Sequence, residues 1–164
     1  MPDNVSTVVS YFDQVLAMDQ AAMSRLPYDV SGLVSLWAPD GQLTLEGTPD
    51  FGSHVYNGQP ELAQFYTGRQ NGQADAFSVN DKPGNGPLAM GPDDVQATGY
   101  RHLVNHSGEG FKISYTHNFH FRPDGKIQSL HVQVGPPEPT DLAPIGSLTM
   151  QDMGRLSVVA WMVA

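Results

Sequence analysis

The chain has 164 residues, enough for one domain with its own hydrophobic core. Its 8 basic and 17 acidic residues give a net charge of −9, which excludes the basic surface that nucleic acids and anionic membranes require. The absence of cysteine excludes disulfides, thiolate metal sites and cysteine nucleophiles. The composition predicts a globular protein, and an N-terminus without signal-peptide features favours a cytoplasmic location.

The first half of the chain carries apolar residues at three- and four-residue steps, which is typical of amphipathic helices. Asp3 or Asn4 can cap the first of these helices. The predicted elements are, in order, a helix over 5–22, a short helical face over 30–37 capped by Asp29, a turn over 38–41, strands over 42–46 and 53–56, and a helix opened by Gly58-Gln59-Pro60.

The second half of the chain is predicted to be mainly β. Residues 80–92 are rich in glycine, proline and asparagine and predict a long irregular loop, a lid or a rim. Strands are predicted over 95–105, 111–122 and 127–134, with tight turns at 107–109 and at Asp124-Gly125. Three helices followed by antiparallel strands indicate the α+β class, with residues 1–135 as one domain and 136–164 as its C-terminal extension, whose structure the sequence leaves open.

The turn at Asp124-Gly125 also predicts which side chains share a face of the sheet, because side chains alternate along a strand. The first face comprises the opposed pairs Tyr115 and Val134, His117 and Val132, and Phe119 and Leu130. An even-length turn near Gly108 would add Tyr100 and His102 to this face. The second face, with Asn118, His120, His131 and Gln133, is predicted to be solvated or to form a dimer interface.

Three stretches carry a resemblance to a known family. They are Leu36-Trp37-Ala38-Pro39-Asp40-Gly41-Gln42-Leu43-Thr44-Leu45, Asn57-Gly58-Gln59-Pro60-Glu61-Leu62-Ala63-Gln64-Phe65-Tyr66, and Phe119-His120-Phe121-Arg122-Pro123-Asp124-Gly125-Lys126-Ile127. In this order and spacing the chain resembles the nuclear-transport-factor-2-like superfamily, and within it the branch of ketosteroid isomerase and SnoaL-like polyketide cyclases. The resemblance covers roughly residues 5–135 and indicates a fold rather than one activity.

The resemblance implies a cone, in which N-terminal helices pack on a curved antiparallel sheet around an apolar pocket, and a homodimer formed through the sheet. In the family register, His117 falls on the position of the isomerase's oxyanion-hole acid. The isomerase's base position falls on Leu45, next to Glu46, and its helix-1 tyrosine falls on Gln14, with Tyr11 one turn earlier. Val132 stands where related limonene-epoxide hydrolases carry an aspartate, which argues against that chemistry.

These matches predict four candidate catalytic residues. His117, Tyr100 and His102 would stabilise an oxyanion or move a proton, and Glu46 would act as the base if a bulge turned it inward. The competing interpretations are a core histidine, packing tyrosines, a histidine at the pocket rim and a solvated carboxylate at a strand end. The predicted substrate-binding walls are Tyr11, Gln14, Trp37, Tyr56, Tyr115, Phe119, Leu130, Val132 and Val134.

The predicted function is a cofactor-independent enzyme that carries out proton transfer on a small hydrophobic, polyketide- or steroid-like carbonyl compound. Isomerisation, aldol-type cyclisation and dehydration remain open as reaction types. No His-x-His or His-Glu-x-x-His pattern is present, so no metal is expected. The alternative is a non-catalytic module for ligand binding or dimerisation, which the missing carboxylate base favours.

Overall fold

The computed structural model describes residues 3–47, 52–83, 86–136 except 106–109, and 138–139, and for 23, 71–83, 102–105, 110–111 and 139 it describes the backbone alone. The helices are α1 (Asn4–Met23), α2 (Ser31–Val34) and α3 (Gly58–Ala76). The strands are β1 (Trp37–Glu46), β2 (Ser53–Asn57), β3 (Phe77–Pro83), β4 (Leu88–Ala89), β5 (Asp94–Asn105), β6 (Gly110–Phe121), β7 (Ile127–Val134) and β8 (Glu138–Pro139).

α1 begins at the predicted cap Asp3, whereas the N-cap of α2 is Val30, one residue after the predicted Asp29. The Asp3 side chain accepts a hydrogen bond from the Val5 amide at 3.1 Å, and Asp29 accepts one from the Ser31 amide at 2.9 Å. The predicted helical face over 30–37 is shorter in the structure, because the Leu36 carbonyl accepts a hydrogen bond from the Ile127 amide. The chain therefore leaves the helix before Trp37 and joins the sheet.

The strands form one sheet in the order β2-β1-β7-β6-β5-β3, with β4 added on β5 and β8 on β6. The sheet was predicted to be antiparallel, but β1 and β7 run parallel, so it is mixed. The predicted irregular loop over 80–92 is also wrong in part, since β3 pairs with β5 along seven residues. The sequence of β3 is polar and contains a proline, but its backbone N–H and C=O groups still pair with those of β5.

The predicted turn over 38–41 is a bulge inside β1. Trp37 pairs with Ile127 and Gln42 with Ser129, so β1 advances five residues where β7 advances two. Gly41 lies at the closest approach, where an added Cβ would stand 2.8 Å from Cε3 of Trp37 and 3.1 Å from the Ile127 carbonyl oxygen. The bulge therefore requires glycine at this position.

The β6–β7 hairpin has the predicted pairing, with Tyr115 opposite Val134, His117 opposite Val132 and Phe119 opposite Leu130. The turn itself is one residue longer than predicted. The Arg122 amide donates to the Lys126 carbonyl, and Gly125 has φ 82°, while one extra residue in β7 restores the register. The prediction of this shared face is confirmed.

The β5–β6 pairing differs from the prediction. Val104 pairs with Gly110, so five residues separate the paired ends, an odd number rather than an even one. Tyr100 consequently stands opposite Ser114 and faces away from Tyr115 and His117. Because side chains alternate along a strand, one residue of loop length exchanges the two faces of β5. The prediction that Tyr100 shares the face of His117 is wrong.

The core lies between the inner face of the sheet and the helices. It contains Val8, Tyr11, Val15 and Met18 from α1, Leu33 and Val34 from α2, Leu62, Phe65 and Tyr66 from α3, and the inward residues of β1, β5, β6 and β7. The outer face of β6 and β7 carries polar side chains that are half-buried or exposed, namely Thr116, Asn118, His120, Ser129, His131 and Gln133. Polar groups buried between the sheet and the helices are therefore the candidates for a functional site.

Candidate active site in the cone interior

His117 is completely buried in the middle of β6, inside a group of aromatic rings. Its ring centroid lies 5.1 Å from that of Phe12, 4.7 Å from that of Tyr115 and 6.4 Å from that of Tyr11. Phe119, the next inward residue of β6, stacks at 6.0 Å with an interplanar angle of 17°. The imidazole therefore sits in low-dielectric surroundings.

A pair of buried tyrosines lies next to this histidine. The Tyr11 hydroxyl of α1 lies 2.7 Å from the Tyr66 hydroxyl of α3, and both residues are fully buried. Burial raises the pKa of Tyr11 to about 12 and raises that of Tyr66 well above its usual value. Both phenols are therefore neutral hydrogen-bonding groups at physiological pH.

A buried ion cluster links three elements beside the tyrosine pair. The Asp19 carboxylate of α1 accepts from both terminal nitrogens of Arg69, with Nη2 at 3.2 Å from Oδ2, and from Nη1 of Arg101 at 2.7 Å. Asp19, Arg69 on α3 and Arg101 on β5 are all buried. Bidentate and charge-assisted hydrogen bonds of this kind hold guanidinium groups in a fixed orientation.

The ion cluster and the tyrosine pair act on each other electrostatically. Tyr66 and Arg69 are one turn apart on α3, so they project from the same face of that helix. Burial dominates the raised pKa of Tyr11, while the positive charges of Arg69 and Arg101 oppose it and the negative charge of Asp19 adds to it. The phenols thus lie in the field of the two guanidinium groups.

Most of the predicted wall residues do face the interior. The buried ones are Trp37, Tyr115, Phe119, Leu130, Val132 and Val134. Tyr56 on β2 is half-buried and packs against Phe65 at a centroid distance of 4.7 Å. Tyr11 is buried as well, so these residues belong to the core, and their role as walls of a substrate pocket stays a prediction. One predicted wall residue on α1 lies elsewhere.

That residue is Gln14, which lies on a different side of α1. Its amide nitrogen is 3.4 Å from the Gly32 carbonyl oxygen on α2, and the side chain is only half-buried. Gln14 contacts α2, whereas the Tyr11 ring contacts His117 and Phe119 of the sheet. The prediction that Gln14 lines the interior is wrong, and Tyr11 is the tyrosine that α1 places there.

Glu46, the predicted base, points to the outer face of the sheet. Leu43 and Leu45 alternate inward along β1, so Glu46 alternates outward, where its Oε2 lies 3.0 Å from Nε2 of His131. The bulge in β1 precedes Gln42 and cannot turn Glu46 around. The alternative interpretation of Glu46, a carboxylate at a strand end, fits this position.

Of the two remaining predicted catalytic residues, Tyr100 faces away from His117, and the side chain of His102 is not described. The Tyr100 side chain is 43% exposed, with Nζ of Lys112 5.6 Å above its ring. The side chain of His102 is not among those described, and neither are the predicted turn over 107–109 and the C-terminal extension from 140. The role of His102 therefore stays a prediction.

The sequence interpretation missed the most polar part of this interior. Tyr66, Asp19, Arg69 and Arg101 were not predicted as site residues, although Asp19 gave a signal. It lies four residues after Val15 and eight after Tyr11, on the buried face of an amphipathic helix. A carboxylate on such a face needs a cationic partner, but the sequence does not show which one.

In the described part of the chain, no three His, Cys, Asp or Glu side chains are placed so that they could hold a metal ion. The described helices are also too short or too polar to cross a membrane.

No protein-family model matches the sequence, and no curated protein matches it. Solved structures do resemble it. A steroid delta-isomerase from Pseudomonas aeruginosa superposes with a TM-score of 0.52 at 15% identity, over 100% of this chain and 98% of that one. The chain has the fold of the nuclear-transport-factor-2-like superfamily.

Two other proteins with this fold are similar to the chain. The epoxide hydrolase/cyclase-like enzyme SalBIII, described in pyran ring formation in the polyether salinomycin, is 20% identical, with a TM-score of 0.52 over 80% of this chain and 96% of that enzyme. RV0760c from Mycobacterium tuberculosis, solved in complex with estradiol-17β-hemisuccinate, is 12% identical. Its TM-score is 0.50, over 74% of this chain and 90% of that one. At these identities the likeness establishes the fold, and the chemistry has to be argued from the interior.

Proposed function

We propose that the protein is a cofactor-independent enzyme that transfers a proton next to the carbonyl group of a small hydrophobic substrate. The observation that carries the proposal is the buried Tyr11–Tyr66 hydroxyl pair beside the His117 imidazole. Isomerisation, aldol-type cyclisation and dehydration all begin with such a step. The neighbouring folds of a steroid isomerase and a cyclase-like enzyme support a substrate of steroid or polyketide type.

The tyrosine pair is suited to stabilise the negative charge that develops on the substrate's oxygen. The two hydroxyl oxygens lie 2.7 Å apart, and each hydroxyl can both donate and accept hydrogen bonds. When a substrate binds, the pair would donate a hydrogen bond to its carbonyl oxygen as that oxygen becomes an enolate. Such a donor is strongest in a site without water, where it needs no reorganisation during the reaction.

In this mechanism His117 is the proton carrier. The imidazole accepts the proton from the carbon next to the carbonyl and returns it at another position or to a leaving oxygen. The aromatic rings around it exclude water and orient a flat substrate. Arg69 and Arg101, held by Asp19, contribute a positive potential that favours the enolate over the neutral ketone.

One observation favours the alternative, a non-catalytic module that binds a small ligand. Asp19 is the one carboxylate among the described buried residues, and its two oxygens are both occupied by guanidinium groups. Glu46 faces outward. If His117 does not accept a proton, the interior would bind a hydrophobic ligand without converting it.

The first experiment is a titration with 2-naphthol, a fused-ring phenol that mimics an enolate. The wild-type protein should bind it, and Tyr11→Phe should weaken binding by at least about tenfold, because one hydrogen bond to a charged oxygen is worth about 1.5–3 kcal/mol. The matched control is Tyr100→Phe, which removes a phenol from the outer face and should leave affinity unchanged. Equal affinity of wild type and Tyr11→Phe would exclude the hydroxyl pair as the oxygen-binding group.

Catalysis is tested separately by proton exchange. Wild-type protein in D₂O should incorporate deuterium next to the carbonyl of 2-tetralone, observed by NMR. The variant His117→Phe keeps an aromatic ring but removes the proton carrier, so exchange should fall to the uncatalysed rate. Naphthol binding without exchange by the wild type would favour the binding module.

We also propose a cytoplasmic homodimer that pairs through the outer face of the sheet. The polar residues of that face and the acidic composition support a protein surface there rather than a nucleic acid or a membrane. Light scattering after gel filtration measures the dimer. A monomeric mass at micromolar concentration would contradict this part of the proposal.

A further inference from the structure

A groove opens at the end of the molecule that contains the β6–β7 turn. Its volume is about 660 Å³, and its walls come from α2, the first turns of α3, the bulge of β1 and the residue that precedes β7. Val30, Val34, Trp37 and Pro60 make it largely apolar. Grooves of a few hundred Å³ with apolar walls and few polar groups are typical of small-ligand sites.

Lys126 provides the positive charge of this groove. Its ammonium group donates to the Ser35 carbonyl oxygen at 2.8 Å, which holds it at the rim. Across the residues that the structure describes, no carboxylate lies within ion-pair distance of Lys126. Arg122, at the start of the same turn, differs in this respect, since it lies 3.6 Å from Asp124 and 3.9 Å from Asp40. Lys126 can therefore accept an anion without losing an ion pair.

Asp29 provides the negative charge in the groove and restricts how a ligand can lie. Its carboxylate accepts hydrogen bonds from Ser31, and these lower the pKa of Asp29, so it stays ionised. An anionic group next to Asp29 would be repelled. A ligand with one negative charge must therefore place that charge at the Lys126 end and its uncharged body along the apolar wall.

Trp37 forms part of the groove wall, while its own side chain is almost completely buried. The Gln59 amide donates to the Trp37 carbonyl oxygen at 3.0 Å and fixes the first turn of α3 against β1. The Trp37 ring also packs on Gly41, at the bulge. The wall is thus preformed, and binding requires little rearrangement.

We propose that this groove is a second ligand site, which binds a small amphipathic carboxylate with its acid group on Lys126 and its apolar body against Val34 and Trp37. The groove shares Trp37 with the predicted walls of the interior but contains none of the other predicted site residues, and the site goes beyond the proposed proton-transfer function. Charge complementarity selects the ligand class, because an alcohol or ester of the same shape gains nothing from the ammonium group.

The test compares 4-cyclohexylbutyrate with 4-cyclohexylbutan-1-ol, two probes that do not absorb where tryptophan does. The sequence has two tryptophans, so Trp161→Phe leaves Trp37 as the sole tryptophan reporter. The acid should change Trp37 fluorescence and bind at least fivefold more tightly than the alcohol. In ¹⁵N spectra, the shifted amides should include those of Val34, Ser35 and Gln59 rather than those around His117.

Variants then locate the acid group. Lys126→Gln should abolish the preference for the acid and leave alcohol binding unchanged, while Lys126→Arg should retain it. The matched control is Lys112→Gln, which removes an exposed lysine near Glu138 on another part of the surface. Absence of acid binding, an unchanged preference in Lys126→Gln, or amide shifts centred on His117 would each overturn the proposal. The proposed reaction is read out independently by proton exchange.

Discussion

The hydroxyl of Tyr11 lies 2.7 Å from the hydroxyl of Tyr66, although 55 positions separate the two residues in the chain. The same two helices meet again where Asp19 accepts hydrogen bonds from Arg69. α1 and α3 are therefore joined by a neutral polar contact and an ionic one inside an otherwise apolar core. Both contacts are costly to break, because a buried polar group without its partner pays its full desolvation penalty.

The hydroxyl pair should be visible in a double-mutant cycle. Tyr11→Phe should lower the free energy of unfolding by about 1–3 kcal/mol, because the Tyr66 hydroxyl loses its partner. Tyr66→Phe should do the same, and the double variant should lose less than the sum of the two. Urea unfolding monitored by circular dichroism measures all four proteins. Strictly additive losses would show that the two hydroxyls do not interact.

Stability at high pH should depend on the same residues. The pKa of Tyr11 is about 12 in the folded protein and near 10 when unfolded, so between these values the folded state holds a proton that the unfolded state releases. The free energy of unfolding should therefore fall as pH rises from 10 to 12, by roughly 2 kcal/mol from Tyr11. Tyr66 acts in the same direction.

The control for this pH dependence is Tyr11→Phe, which has no phenol to ionise at that position. Its unfolding free energy should decline less steeply over the same range than that of the wild type. Parallel curves for wild type and Tyr11→Phe would contradict the raised pKa of Tyr11.

The ion cluster predicts a large effect from a nearly isosteric change. Asp19→Asn leaves the buried guanidinium groups of Arg69 and Arg101 without their shared carboxylate, and loss of one partner from a buried ion pair costs about 3–5 kcal/mol. The exposed pair of Lys112 and Glu138 is the matched control, and Glu138→Gln should cost less than about 1 kcal/mol. Thermal unfolding separates the two. Similar melting temperatures for both variants would mean that Asp19 has little structural role.

Two glycine-to-alanine changes should act in opposite directions. Gly41→Ala brings a Cβ to 2.8 Å from the Trp37 ring and should destabilise the protein by about 1–3 kcal/mol. Gly68→Ala lies in α3 with nothing within 4 Å, so it should stabilise by about 0.5–1 kcal/mol through helix propensity. Chemical denaturation of both variants is the measurement. Tolerance of Gly41→Ala would show that the bulge can move away from Trp37.

The outward position of Glu46 gives a further prediction. Glu46→Gln removes a charge next to His131 on the outer face, so neither 2-naphthol binding nor deuterium exchange should change more than twofold. The same assays on Tyr11→Phe and His117→Phe provide the positive comparison. A large loss of exchange in Glu46→Gln would mean that the carboxylate reaches the interior during the reaction.

Local sequence determined a large part of this protein. The α1 helix over 4–23 follows from its apolar spacing and its Asp3 cap, and the face shared by His117, Val132 and Tyr115 follows from alternation on either side of a Gly125 turn. Both depend on contacts between residues close in the chain. The inward position of His117 was predictable for that reason.

Tertiary structure decided the rest. Whether Tyr100 faces inward depends on one residue of loop length between β5 and β6, and the parallel pairing of β1 with β7 depends on elements more than 80 positions apart. The partners of Asp19 come from α3 and β5, and no local pattern identifies them. Alternation and helical spacing fix the side of an element on which a residue lies, but only packing of distant elements fixes what that residue meets there.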